Sequence, residues 1–483
     1  WQGNAGFNYV IENTHLDGGN ASAKVQAKIT YLDGLGRPIQ QIAVKAGGYS
    51  LDQIAATPTD LVSHTEYDAL GRETKKYLPY AATTQAGDIV QGNLPANIQS
   101  YYSTLGKAGN PYTDISYEAS PLHRVIAQTA AGSSVAVQMA YRTNTAAELK
   151  LLRYNLSTNQ VAMSDYPAAQ LNVTQTTNEN NQVSLTYQDK GGQTVAKTIS
   201  GLTTYYVYDD FGNLRCVVPP KAVSLLSSSF DPFTANDLLF AYDYDARGRM
   251  TRKKVPGAGM TTMEYDVLDR LIKTTDANNN VVETEYDHLD RPTLTKLNGS
   301  QITATYYDGY AYGDKGFDQT HAYNQAKLST PVGMATGNLT VVLNPQAGMK
   351  TSLLTSLYYD HLGRLIQTTA DNHLNGTERS SMSLDFVGRA TQTHQSTQGG
   401  LEIETKTAYD RASRVKATCQ QVSGTGVEQA YWEPVARHHY NGIGELTRKT
   451  LGCSLQQVDY TYEMHGWLTS INNPSQLSGS TAS

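Results

Sequence analysis

The sequence predicts an all-β chain, a long ribbon of β-hairpins curved as a single layer around a cavity. Three observations carry that expectation. A tyrosine-led word recurs at Tyr244, Tyr265, Tyr286 and Tyr307, 21 residues apart, and self-similarity at such a period marks a repeat architecture. The stretches between the words are short, β-branched and bounded by turn-forming residues. The chain is also thin in core material: its 483 residues include 33 Tyr but only 7 Phe and 3 Trp. Leaving out Tyr and counting the 40 Gly gives an apolar fraction of about 40%, below the roughly 45–50% of globular domains. Tyrosine suits a wall whose rings pack while the hydroxyls reach water.

One unit shows how the word builds a hairpin. "RLIKTT" (270–275) and "VVETEY" (281–286) favour pleated surfaces. Between them "DANNN" (276–280) is turn material, because Asp and Asn side chains bond their own backbone and tolerate left-handed geometry. "DHLDR" (287–291) is the next turn, and "PTLTKL" resumes the strand. Each 21-residue unit is therefore two strands and two turns. Neither face of these strands forms a clean apolar stripe: Leu271, Lys273 and Thr275 oppose Arg270, Ile272 and Thr274. Both faces read as half-wet, unlike the interior of a dry sandwich.

The word persists, in looser form, along most of the chain. It is clearest at Tyr67-Asp68 with Gly71-Arg72, Tyr244-Asp245 with Gly248-Arg249, and Tyr359-Asp360 with Gly363-Arg364. Tyr265-Asp266 with Arg270 and Tyr286-Asp287 with Arg291 carry Asp269 and Asp290 where the others have Gly. Further copies begin at Tyr31, Tyr208, Leu384, Tyr409, Tyr440 and Tyr462, and weaker ones at Tyr117 and Tyr187. The Asp is expected to accept backbone N–H groups, the Gly to take positive φ without a Cβ penalty, and the Arg to open the returning strand within reach of the Asp carboxylate or the Tyr ring. Asp tolerates the same backbone region as that Gly. These residues are read as structural. The words lack the clustered D-x-D-x-D pattern of a calcium loop, and no metal or cofactor is expected.

About a dozen such units imply about 25 strands, and at about 4.8 Å each a flat sheet about 120 Å wide. Open twisted sheets of that size curl, split or flatten, and a half-wet sheet is expected to curl around a space. The repeat region is placed at 31–475, after a lead-in or plug at 1–30 and before a polar tail at 476–483. Insertions at 78–116, 219–243 and 311–350 break the rhythm, with short helical pieces expected around 220–226 and 234–240.

Function classes narrow by exclusion. The net charge of −6 is spread along the chain, and no basic stripe offers a nucleic-acid surface. No run approaches the roughly eighteen apolar residues of a membrane span. Cys216, Cys419 and Cys453 are too scattered for a disulfide framework, although a single Cys419–Cys453 bridge is left open. His438 and His439 are neighbours on a strand and point to opposite faces, so they would not share a metal. Asp60, Ser63 and His64 form a loose trio without a nucleophile elbow. No catalytic residue is singled out, and the chain reads as non-enzymatic.

The words "YDALGR", "YDARGR" and "YDHLGR", at strand–turn–strand spacing, resemble the YD repeats of the RHS/YD-repeat superfamily. That superfamily includes bacterial RHS polymorphic toxins, the B and C components of Tc toxins, and the teneurins. The opening "NYVIENTHLDG" with "KITYLDGLGRPIQQIAVKAG", and "YTYEMHGWLTSINNP" near the end, resemble RHS proteins of Bacteroidetes type, and the likeness covers most of 8–475. It implies a hollow β-cocoon that encloses a polypeptide cargo, such as a C-terminal effector or the rest of the same protein. Secretion machinery or a carrier subunit would be further partners. The location would be secreted or at the outer cell surface. The resemblance also implies an alternative, a teneurin-like adhesin that binds a glycan or receptor. The family's self-cleaving core, with its "DPxGL"-like wording, is not matched, so no catalytic residue is carried over. With Trp1 at the start and "SQLSGSTAS" at the end, the chain reads as the N-terminal part of such a shell.

Overall fold

A computed structural model describes residues 6–16, 25–48, 59–82, 87–323 and 325–472. The expected polar tail lies outside them. The fold is all-β, as the sequence predicts: a 32-stranded antiparallel sheet in which most strands pair with their neighbours in sequence, plus a small 3-stranded sheet. The small sheet joins Lys150–Asn155, Gln160–Asp165 and Ser229–Phe230. Asn8–His15, within the expected lead-in, pairs along its length with Val25–Leu32.

The ribbon differs in thickness along its course. At its start, Ile29, Tyr31, Ile42 and Val62 are fully buried against the helix Leu94–Thr104, which contributes Leu94, Ile98 and Tyr102. Their i, i+4, i+8 spacing gives that helix one apolar stripe. Asn93 caps it by accepting the Ala96 N–H at 3.2 Å, and a proline occupies its first turn. A second cluster forms where the small sheet covers the large one, with Val161, Leu171, Val173, Val207 and Leu239 at its centre. Between 250 and 297 the sheet is uncovered: its strands are intermediate in exposure at nearly every position, with none buried. That is the half-wet single layer expected from "RLIKTT" and "VVETEY".

Of the two helical pieces expected in 219–243, one forms, as the single turn Pro220–Val223. The stretch 234–240 is not helical. Asp231 accepts the Phe233 N–H and Asn236 the Leu238 N–H, both at 2.8 Å. These local Asx turns outcompete the helix. The longer helix, Leu94–Thr104, lies in the 78–116 insertion, where none was expected.

The late repeats return onto the start of the ribbon. Gly48 donates to the Gly442 carbonyl at 3.2 Å, and Arg414 Nη2 to the Gly47 carbonyl at 3.0 Å. Lys107 Nζ meets Glu445 Oε1 at 2.5 Å and the Glu463 carbonyl at 3.1 Å. Met464 is buried in the N-terminal cluster and Ile443 packs against it. Glycine is required at this seam. A Cβ on Gly48 would stand 1.8 Å from the Asn441 carbonyl oxygen, and one on Gly442 would stand 2.4 Å from the Tyr101 hydroxyl.

Candidate functional site: an aspartate–arginine–tyrosine ladder

Each word closes a three-residue hairpin loop of the kind built from a type I turn and a left-handed fourth residue that makes a bulge. In the unit at 265, Asp266 N–H donates to the Arg270 carbonyl at 3.0 Å, and Asp269 N–H returns to the Asp266 carbonyl at 3.2 Å. The pairing register shifts between Glu264 and Tyr265. The fourth residue takes positive φ whatever its type: 79° at Gly71, 78° at Gly248, 65° at Asp269, 63° at Asp290 and 75° at Gly363.

The aspartate holds the loop from inside. Asp266 Oδ1 accepts the Leu268 and Arg270 N–H groups at 2.9 and 3.0 Å, and Oδ2 accepts Arg270 Nε at 2.6 Å. Asp68 with Arg72, Asp245 with Arg249, Asp287 with Arg291, and Asp360 with Arg364 repeat the pattern, each with Nε to Oδ2 at 2.7 Å. Desolvation alone would raise the Asp266, Asp287 and Asp360 carboxyls. The Arg backbone and side-chain N–H groups outweigh it and hold them below the ordinary carboxylate range. For Asp68 the Arg72 N–H, and for Asp245 the Arg249 guanidinium, is the largest cause of the same shift.

The tyrosine reaches back across one hairpin. Tyr286 donates to the Leu271 carbonyl at 2.8 Å, and the Arg270 guanidinium lies 5.1 Å from its ring centroid. Tyr265 does the same with Met250 (2.8 Å) and Arg249 (4.8 Å). Tyr307 reaches Pro292 (3.0 Å) and Arg291 (4.3 Å). Tyr67 reaches Pro38 (2.9 Å) and Arg37 (4.6 Å). Each arginine is thus tied to its own aspartate and stacked on the tyrosine of the next word, and Arg249 and Arg270 also donate to the Asp266 and Asp287 carbonyls, both at 3.2 Å. The result is a ladder along one edge of the ribbon, unbroken from Arg249 to Tyr307.

Three rungs depart from the wording. The insertion expected at 311–350 spans 308–334, because Ala335–Val341 pairs in the sheet with Ser300–Tyr307 and Ser352–Tyr359. Tyr359 bonds the Ala335 carbonyl at 2.6 Å across it, and Arg364, whose next word opens on Leu384 in place of a tyrosine, keeps the bond to the Asp385 carbonyl at 2.9 Å. Tyr244 bonds the Leu214 carbonyl at 3.1 Å and is stacked by Arg215 at 5.2 Å. Arg215 was missed in the sequence because Asn213 holds the word's Arg position. It reaches Asp209 Oδ2 at 2.7 Å from two residues further on. The opposite-edge turn "DANNN" has the same loop, with Asn279 at φ 62° and Asn280 bonded to Asp276. The loop is common to both edges, and the arginine–tyrosine stack is what distinguishes this one.

The residues between Asp and Gly face outward. Val267 is 87% and Leu70 67% exposed, whereas Ile443 and Met464, within the corresponding loops of their words, pack into the N-terminal cluster at the seam.

The other sequence candidates are not assembled into a site. Asp60 accepts the Lys45 and Gly87 N–H groups at 2.8 and 2.9 Å, while His64 Nδ1 lies 2.9 Å from the Ile39 carbonyl. Both tie down backbone. Cys216, Cys419 and Cys453 are free thiols, so the Cys419–Cys453 bridge is not formed. Burial pushes the Cys216 thiol up to about 12. His438 is lowered by burial and then by Lys449. No described helix is long and apolar enough to cross a membrane.

Residues 7–148 match a domain of unknown function, DUF6443. Residues 265–301, the unit whose rungs are most regular, match the RHS Repeat family. The chain thus carries a matched RHS repeat within its ladder of like words. Among solved structures, this chain is similar to the TcdB2-TccC3 crystal structure (13% identity, TM-score 0.48), to TcdB2-TccC3 without its hypervariable C-terminal region (14%, 0.48) and to a Photorhabdus luminescens Tc holotoxin pore (13%, 0.47). Each likeness covers 96% of this chain and 24% of the solved one, so this chain spans about a quarter of those proteins. No curated protein matches.

Proposed function

We propose that this chain is a section of RHS wall that encloses or presents a polypeptide segment outside the producing cell, and that it carries no catalytic centre of its own. The observation that supports the reading is the seam. Residues 414–464 meet residues 47–132 through backbone hydrogen bonds, a buried ion pair and shared apolar side chains. A ribbon that returns to its start, and is one layer thick with both faces half-solvated between 250 and 297, suits containment better than packing. A wall with polar side chains on its inner face would hold a chain without selecting one conformation. In the full-length protein, a segment enclosed by this wall is expected to resist protease until Gly48→Ala forces the seam apart. Equal cleavage of that segment with the seam intact and opened would overturn the reading.

A second reading rests on the exposed apolar loop residues, among them Leu35, Leu70, Phe211 and Val267. Such a row favours docking, as in an adhesin. Saturable glycan or receptor binding by the isolated chain, with nothing enclosed, would favour it over containment.

A further inference from the structure

The insertion after Tyr307 lies on a polar seat. Gln367 and Ser381 are fully buried, and Gln367 clamps Asp318 by accepting its N–H at 2.7 Å and donating Nε2 to its carbonyl at 3.1 Å. Beside this clamp are two imidazoles and a carboxylate that the repeat ladder does not use. His321, from the insertion, stacks on His394, from the strand Ala390–Ser396, with ring centroids 3.7 Å apart and planes 4° from parallel. His394 Nε2 is 3.8 Å from Glu402 Oε2 on the adjacent strand Leu401–Tyr409. One donor atom from each of the three residues lies within 4.8 Å of the others.

The hydrogen bonding at this cluster is incomplete. His394 is 1% exposed, yet neither ring nitrogen has a hydrogen-bond partner. Buried polar atoms without partners are rare in folded proteins. His321 is already oriented. Its Nδ1 faces Asp318 Oδ2 at 2.9 Å, and that oxygen also accepts Arg379 Nη1 at 3.1 Å. A carboxylate on one imidazole nitrogen presents the other as the lone-pair donor, the arrangement of metal-bound histidines. Glu404 stands directly opposite His394 in the strand register and adds negative charge.

We infer that His321, His394 and Glu402 form a binding site for one divalent transition-metal ion of the zinc class, which clips the 308–334 insertion to the sheet. Two imidazoles and one carboxylate are a zinc ligand set with a fourth position left for water, and imidazole selects against calcium and magnesium. Tetrahedral donors sit about 3.4 Å apart, so binding splays the stacked rings and draws Glu402 inward.

The test is zinc or cobalt titration of the whole chain after chelator treatment. One ion per chain is expected, with a visible d–d band for cobalt and a melting temperature raised by several degrees in excess zinc. His394→Gln and Glu402→Gln should each weaken binding by at least about tenfold, as should Asp318→Asn through His321. His438→Gln, a half-buried imidazole on another strand, should leave binding unchanged. Should the His394 variant fail to fold, X-ray absorption on the wild-type metal complex decides: two imidazoles and a carboxylate support the site, whereas a thiolate from Cys419 or Cys453 overturns it. No uptake at micromolar zinc, or uptake undiminished in His394→Gln, also overturns it.

Discussion

The N-terminal block and the repeats from 244 to 307 are built from the same hairpin but stabilised differently. In the block, Ile29, Ile42, Val62 and Ile98 are fully buried, and the late repeats close over them. In the repeats no strand residue from 250 to 297 is buried, and cohesion runs along the edge through Asp266, Arg270, Tyr286 and their equivalents. The comparison teaches that the repeated word replaces a core. A wall one layer thick cannot bury apolar side chains on both faces, so its order comes from loops satisfied by their own aspartates and from stacking between neighbours.

The comparison is broken most severely from the block side. Ile98→Ala should cost about 2–5 kcal/mol through the cavity left beneath the helix, read as a lower denaturant midpoint for the whole chain. Gly48→Ala should follow at about 2–3 kcal/mol, because the obstructing Asn441 atom is backbone and cannot swing aside. Its signature would be faster hydrogen exchange on both sides of the seam, near 47 and near 442. Gly363→Val, on the ladder, should cost about 1 kcal/mol or more. The residue sits at φ 75°, and the added Cβ would meet Met334 Cε at 2.5 Å. An unchanged melting temperature would contradict the loop assignment. Arg270→Ala should barely move the melting temperature but should speed exchange of the hairpins at 265 and 286 by about tenfold. A global loss of stability would show that the rungs are not independent.

Acid should sharpen the same contrast. The rung aspartates have pKa values lowered in the folded chain. Their stabilisation is therefore complete above the unfolded value of about 3.9 and is lost as pH falls through the folded values. Exchange in the repeats should rise below pH 4 before the N-terminal core loosens. Simultaneous loosening would count against edge-based cohesion.

Much of this was legible because it is local. The Asp of each word, the positive φ of its fourth residue and the tolerance of Asp269 and Asp290 there follow from the chemistry of a single loop. The stacking partner was not, because Tyr286 finds Arg270 only after the bulge and the pairing register are set. The helix at 94–104 carries its Asn93 cap and apolar spacing in plain sight, but the Pro and Gly residues around it read as loop. Arg215 sits two places from where the word puts an arginine. The seam and the His321–His394–Glu402 cluster join residues too far apart in sequence for any short pattern to connect.

The ladder has one more consequence. Because Arg249, Arg270 and Arg291 each engage their own loop aspartate and the hairpin that follows, a whole unit can be added or removed while every remaining rung keeps the same kind of neighbour. Gene duplication could thereby lengthen or shorten the ribbon in 21-residue steps, leaving its extent free to evolve separately from how each unit is held together.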